Sequence, residues 1–192
     1  MKKVKTVLVG EAGVGKTCIA ERFVRGEYNE STYATVGAAN MSMTVKTQKN
    51  EVNFNIWDTA GQERYRSLTP MYFAGVQVAI LVFDISSFLS LKNLNSFYDL
   101  LQQKAPAECV YFLVGNKSDL EEKRQVSKEE AEEYLNTING VFYMETSAAT
   151  GENIKELFQK IADCDLIVTN DDEEQYETDF NKKPEKKKDC NC

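Results

Sequence analysis

The sequence predicts an α/β domain built on a mostly parallel sheet, and three observations carry that expectation. Short strand-like runs alternate with helical patterns along the chain. The first run, residues 4–9, opens directly into Gly10-Glu11-Ala12-Gly13-Val14-Gly15-Lys16-Thr17, and a helical pattern follows at once. The later polar motifs fall just after strand-like runs, at the carboxyl ends where ligands sit in such a sheet.

Each element has its own signal. Residues 4–9, with Val4 and then Val7, Leu8 and Val9 before Gly10, read as a short buried strand. Ile19/Phe23 and Ala20/Val24 pair four residues apart, the spacing of a helix face. Residues 44–47 and 52–57 flank Lys49-Asn50-Glu51 and predict a hairpin. Residues 78–83, 110–114 and 141–144 are the later strands. Leu94/Phe97/Tyr98/Leu101, Ala131/Tyr134/Leu135/Ile138 and Ile154/Leu157/Phe158/Ile161 each repeat at i, i+3, i+4, i+7. These stripes are core faces of three amphipathic helices, not ligand sites.

Composition bounds the rest. A chain of 192 residues with 42% apolar residues holds one domain with a proper core and a tail. The boundary falls near residue 165, giving a domain over 1–165 and a tail over 166–192. Asp171-Asp172-Glu173-Glu174 and then Lys182-Lys183-Pro184-Glu185-Lys186-Lys187-Lys188 mark that tail as disordered by composition, acidic first and basic later. A net charge of −7 argues against nucleic acid as the main partner. With no histidine, hydrolysis runs without an imidazole base and a His-bearing metal site is excluded. No secretory segment and no apolar stretch of about 20 residues is expected. Of five cysteines, Cys18, Cys109 and Cys164 are single and read as reduced thiols of a cytosolic protein.

The chemistry begins at the first loop. Two glycines four residues apart, followed by Lys16-Thr17, form the complete P-loop pattern, which holds a nucleoside triphosphate with magnesium. A loop from strand to helix aims successive N–H groups and the positive helix end at phosphates. Lys16 reaches the β and γ oxygens, and Thr17 offers a hydroxyl to Mg²⁺. Asp58-Thr59-Ala60-Gly61-Gln62-Glu63 starts where the hairpin ends. There Asp58 holds magnesium through water, the Gly61 N–H meets a γ-phosphate oxygen, and Gln62 orients a water for in-line attack. Asn116-Lys117-Ser118-Asp119 and Thr146-Ser147-Ala148 each follow a strand. A carboxylate at Asp119 accepts both N1–H and the 2-amino group of guanine, whereas adenine would leave it unpaired. Ala148 offers a backbone N–H to guanine O6.

On these residues the chain resembles the Rab family of small GTPases, a branch of the Ras superfamily, from about Lys3 to Asp163. Trp57-Asp58-Thr59-Ala60-Gly61-Gln62-Glu63-Arg64-Tyr65-Arg66-Ser67-Leu68 and Leu81-Val82-Phe83-Asp84-Ile85-Ser86 are similar to its signatures. Val36-Gly37-Ala38-Ala39 and Ser67-Leu68-Thr69-Pro70-Met71-Tyr72 resemble the endosomal branch. The resemblance implies the P-loop small-GTPase fold, a six-stranded sheet with one antiparallel strand and helices on both faces. It implies nucleotide contacts from Ala12, Gly13, Val14, Gly15, Lys16, Thr17, Cys18, Tyr28, Thr35, Gly61, Asn116, Lys117, Asp119, Ser147, Ala148 and Ala149. Thr17, Thr35 and Asp58 would serve magnesium, and Lys16 and Gln62 catalysis. Segments 28–40 and 58–72 would respond to the nucleotide; the first is polar and has little apolar anchorage. Asn40 departs from the pattern, because Rabs usually carry Phe there in an aromatic triad with Trp57 and Tyr72. Ala74 stands where many members have Arg.

Cys190-Asn191-Cys192 ends the sequence and lacks the further ligands of a zinc site. Its spacing is not the four-residue prenylation box, and the resemblance supplies the reading of a doubly geranylgeranylated end. Two lipid chains beside Lys186-Lys187-Lys188 would attach stably to an anionic leaflet. The expected function is therefore a membrane-anchored GTP/GDP switch in vesicle, endocytic, trafficking. It would hydrolyse GTP slowly, on the order of 10⁻⁴ to 10⁻³ s⁻¹ as Ras-type proteins do. Its partners would be effectors, an exchange factor, a GAP and GDP-dissociation-inhibitor or escort proteins, with the domain monomeric. Its place would be the cytoplasmic face of endosomal or vesicular membranes, with a cytosolic pool. The alternatives are a GTP-holding scaffold without functional hydrolysis, which intact Gly61 and Gln62 oppose, and a P-loop kinase or ATPase, which Asp119 opposes.

Overall fold

The structure, a computed structural model, describes residues 1–29, 38–59 and 72–167. Among these, the elements in chain order are β1 (Lys2–Val9), α1 (Lys16–Arg25), β2 (Ala38–Lys46), β3 (Glu51–Thr59), β4 (Val78–Asp84), α2 (Phe88–Lys92), α3 (Leu94–Lys104), β5 (Val110–Asn116), a 3₁₀ helix (Ser118–Lys123), α4 (Lys128–Thr137), β6 (Tyr143–Thr146) and α5 (Ile154–Ala162).

The strands form one sheet in the order β2-β3-β1-β4-β5-β6. Only β2 runs antiparallel, against β3; β1 is parallel to β3 and β4, and β5 to β4 and β6. A parallel sheet is covered on both faces, and alternation along the strands divides the core accordingly. Val4, Leu8, Ile80 and Val82 face the layer that holds Ile19 and Phe23 of α1 and Leu157 and Phe158 of α5. Val7, Val9, Leu81 and Phe83 face Leu94, Phe97 and Leu101 of α3 and Ala131 near the start of α4. The expected α/β fold with helices on both faces is the fold observed.

The helix stripes are the buried faces. Phe23 and Phe158 stack at 3.6 Å between ring centroids, and Phe54 of β3 meets both edge-on. That triad fastens α1 and α5 to the sheet, each buried ring contributing about 2–3 kcal/mol. α4 starts where Ser127 and Glu130 form a reciprocal capping box.

Several boundaries differ from expectation. β2 begins at Ala38 rather than residue 44, and of its nine residues only Val45 is buried. Along this edge strand Met41 and Val45 are the residues that meet the core, too few to read as an alternation. The hairpin turn is Thr47 to Asn50, closed by the Thr47 N–H on the Asn50 carbonyl at 2.9 Å. Glu51 therefore belongs to β3, where it pairs with Lys46 at 2.9 Å. β6 starts at Tyr143 rather than 141, although the Val141 N–H still reaches the Tyr111 carbonyl. Ile138 lies one residue beyond α4. The short α2 and the 3₁₀ helix carry no periodic stripe and were not expected.

Among the described residues no helix is long and apolar enough to cross a membrane. Cys18, Cys109 and Cys164 are free thiols. Burial pushes the Cys109 thiol up to about 12, which keeps it protonated and unreactive.

Candidate nucleotide site

Every strand that runs parallel to β1 delivers a polar group at its carboxyl end, and these ends lie side by side. β1 gives way to the loop of residues 10–15. A side chain at Gly10 would meet the Val82 carbonyl at 2.1 Å, so the loop leaves the sheet against β4 only as glycine. Gly15 caps α1 at φ 98°, and a Cβ there would lie 2.2 Å from Asn116 Nδ2. No side chain caps α1 at this end and its first turn holds no acid. The N–H groups at this helix end thus keep no side-chain cap, and the protein carboxylate beside them is Asp58, held on Thr17.

Lys16 is buried, and its ammonium turns back to donate to the Gly10 carbonyl at 2.9 Å and the Glu11 carbonyl at 2.6 Å. Burial lowers its pKa to about 8, against the opposing pull of Asp58 and Glu11. The Thr17 hydroxyl donates to Asp58 Oδ2 at 2.6 Å. Asp58 is fully buried at the end of β3, and the next residue, Thr59, ties that end to β1 through the Leu8 carbonyl at 2.7 Å. A hydroxyl and a carboxylate are hard oxygen donors. They suit magnesium, which takes one or two protein oxygens and completes its shell with phosphate and water.

The base side is built around Asn116, which is buried at the end of β5. Its Nδ2 donates to the Val14 carbonyl at 2.8 Å, while Oδ1 accepts from Thr146 Oγ1 at 3.1 Å and the Ala148 N–H at 3.3 Å. Asn116 thereby joins the P-loop, the end of β6 and the following loop; its amide is spent on protein. Lys117 adopts φ 67°, and its ammonium pairs with Asp84 Oδ2 at 2.7 Å. Asp84 Oδ1 in turn accepts from the Ser86 N–H and hydroxyl. Asp119 is exposed, and Oδ1 accepts from the Ser147 hydroxyl. That contact brings the two base motifs, 28 residues apart in sequence, together.

The remaining expected residues divide clearly. Ala12 and Gly13 are exposed at the loop crest, Val14 puts its side chain in the core, and Cys18 packs against that core from α1. Ala149 is half-buried beside Ala148. Tyr28 is 40% exposed beyond the end of α1. Thr35, Gly61 and Gln62 lie outside the described residues, as do Cys190, Cys192 and Lys186 to Lys188. The Ala148 N–H, expected to serve guanine O6, rests on Asn116 Oδ1 through a long bond.

Two residues in this neighbourhood carried no sequence signal. Asp84 was part of a family signature with no assigned role, and its partner Lys117 is 33 positions on. Arg22 belongs to no motif of the sequence, yet its guanidinium bonds the carbonyls of Ala148 and Ala149, 126 and 127 positions away.

Comparison with known proteins agrees with this geometry. The profile of the Ras family matches residues 5–165. The chain is 48% identical over 158 residues to Ras-related protein Rab5 of Nicotiana tabacum, covering 82% of this chain and 78% of that one. It is 47% identical to Ras-related protein Rab-5A of Dictyostelium discoideum with the same coverage. With Ras-related protein Rab5A of Oryza sativa it shares 43% over 162 residues, 84% of this chain and 79% of that protein.

Proposed function

This chain belongs to the Ras family, in its Rab branch, and we propose that it is a membrane-anchored GTP/GDP switch that recruits effectors on endosomal membranes while GTP is bound. It is a GTPase, and its likeness to Rab5-named relatives supports a role in endosomal trafficking. The observation that carries the nucleotide-switch reading is the convergence of Lys16, the Thr17–Asp58 pair and the Asp119–Ser147 pair at one end of the sheet.

In this reading the α1 N-terminus and Lys16 hold the phosphates and stabilise charge as the γ-phosphoryl group departs. Lys16 exchanges its two loop carbonyls for phosphate oxygens. Thr17, Asp58 and Thr35 hold magnesium directly or through water, and the ion, when bound, neutralises charge on the β and γ oxygens. Asp119 accepts from guanine N1–H and the 2-amino group, with Ser147 fixing its carboxylate. Ala148 gives its N–H to O6, while Asn116 and Lys117 hold the loops that frame the base. Tyr28 flanks the base edge. Gly61 meets the γ-phosphate, and Gln62 orients the attacking water or yields to groups brought by a GAP. Cys190 and Cys192 carry the lipid, with an exchange factor and a GDP-dissociation-inhibitor or escort protein acting on the cycle. The unit 1–165 acts as the switch and 166–192 as its tether.

Single-turnover hydrolysis of bound GTP tests the switch. Gln62→Leu will retain GTP affinity and slow turnover, since it removes water positioning without a ground-state contact. An unchanged rate removes Gln62 from intrinsic catalysis. For the anchor, Ser at both Cys190 and Cys192 will move the protein from the membrane to the cytosolic fraction. Wild-type fractionation of that variant overturns the lipid reading.

A further inference from the structure

Arg22 stands on α1 six residues beyond Lys16, half-buried, and it spends its guanidinium on three backbone carbonyls. Nε donates to Ala148 at 2.9 Å, Nη2 to Ala149, and Nη1 to Gly26, the C-cap of its own helix, at 3.0 Å. A planar fork held at three points cannot roll or swing. The Gly26 bond fixes the fork on α1, and the other two donors fix residues 148 and 149 against it.

The loop they grip has a defined internal shape. The Gly151 N–H bonds the Ser147 carbonyl at 2.8 Å, and the Thr150 N–H bonds Ser147 Oγ at 3.1 Å. Those bonds set the curve of the loop but not its place in the molecule. Placement comes from the buried Ala148 side chain, from Asn116 and Asp119 on one side, and from Arg22 on the other. The Asn116 contact to the Ala148 N–H is 3.3 Å long, and that N–H is the one a guanine oxygen would take. Once it is given up, Arg22 still holds the next peptide by its carbonyl.

We infer that Arg22 is a positioning residue for base recognition: by locking residues 148 and 149 to the helix that carries Lys16 and Thr17, it sets the Ala148 N–H at a fixed distance from the phosphate end. This rests on the guanine reading given above. The phosphate and base halves of the site are then indexed by one rigid helix rather than by two independent loops. Arg22 touches no part of the nucleotide.

Three ligands test it on the full chain: GDP, 6-thio-GDP, which weakens the acceptor at position six but keeps N1–H and the 2-amino group, and IDP, which lacks only the 2-amino group. Wild type is expected to prefer GDP to 6-thio-GDP by about tenfold, one hydrogen bond's worth. In Arg22→Gln that ratio falls toward one, while the GDP to IDP ratio, read by Asp119, stays at its wild-type value. Arg22→Lys, with one donor head for two carbonyls, falls between, and it carries the test if Arg22→Gln does not fold. If both ratios keep their wild-type values, or both fall together, Arg22 is only a general support and the inference is overturned. If wild type itself does not distinguish GDP from 6-thio-GDP, the assignment of Ala148 to O6 fails first and takes the inference with it.

Discussion

The Thr17 hydroxyl donates to Asp58 Oδ2 at 2.6 Å, joining the first turn of α1 to the carboxyl end of β3 across 41 residues of sequence. The two oxygens are held at the separation of a strong hydrogen bond and close to the buried ammonium of Lys16, whose charge Asp58 supports. Thr17→Val keeps the shape and removes the hydroxyl. GDP release from wild type will accelerate when magnesium is chelated, and in the variant this acceleration will shrink by about tenfold or more, because one ligand is already missing. Stopped-flow release with and without chelator checks it.

Lys16 predicts a pH dependence. Its free-protein pKa of about 8 lies below the ordinary 10.5, so between those values the unfolded chain binds more protons than the native one. The cost of burying the charge is complete below about pH 8 and is relieved as pH climbs toward 10.5. Phosphate binding reverses the shift by supplying an anion. GDP affinity will therefore fall as pH rises through about 8, with a proton taken up on binding. Calorimetry in buffers of different ionisation enthalpy reads that proton directly. Lys16→Arg, which does not titrate, will lose the slope.

Asp119→Asn tests the base side. Xanthine presents a 2-oxo group where guanine has an amino group, so a donor amide is wanted in place of the carboxylate. GDP affinity will drop and XDP affinity will rise, measured by competition. Equal affinities in both proteins would remove Asp119 from the base.

Asn40 sits opposite Trp57 in the β2–β3 ladder, and its Nδ2 donates to Asn55 Oδ1 at 2.6 Å. Trp57 and Tyr72 meet at 5.4 Å between ring centroids, so two members of the expected triad are in contact. Asn40→Phe exchanges an exposed polar bond for a third ring. Nucleotide affinity and intrinsic hydrolysis will stay unchanged, while recovery of endosomal Rab effectors on the GTP-loaded protein will increase. Equal recovery would show that position 40 carries no specificity.

What the sequence made legible was whatever repeats locally. Glycine spacing gave the loop before Lys16, and heptad-like stripes gave the faces of α3, α4 and α5. The first half of β2 escaped because, on this edge strand, Met41 is the side chain there that packs on the core, and one contact makes no period. α2 escaped because five residues hold barely one turn, and its cap, Ser87 accepting from the Ser90 N–H, leaves no stripe. Arg22 and Asp84 escaped for a different reason. Their roles are defined by carbonyls and an ammonium far along the chain, and no local pattern encodes such a partner. The same holds for Asn116, legible as a motif member, whose amide turns out to bind three segments of protein.

The hairpin turn has a mechanical consequence. Thr47 Oγ1 donates to Asp163 and Asn50 Nδ2 to the Ala162 carbonyl at 3.0 Å, so the turn is bolted to the point where the chain leaves α5 for its C-terminal segment. Tension applied to that segment meets buried Ile167 first, and what passes it divides at these bolts between α5 and the long β2–β3 ladder. Without them the packing of α5 and Ile167 on the sheet would alone stand between that load and Gly151, next to the loop that holds Ala148. The hairpin therefore works as a strain relief, shielding the grip on the base from whatever pulls on the other end of the chain.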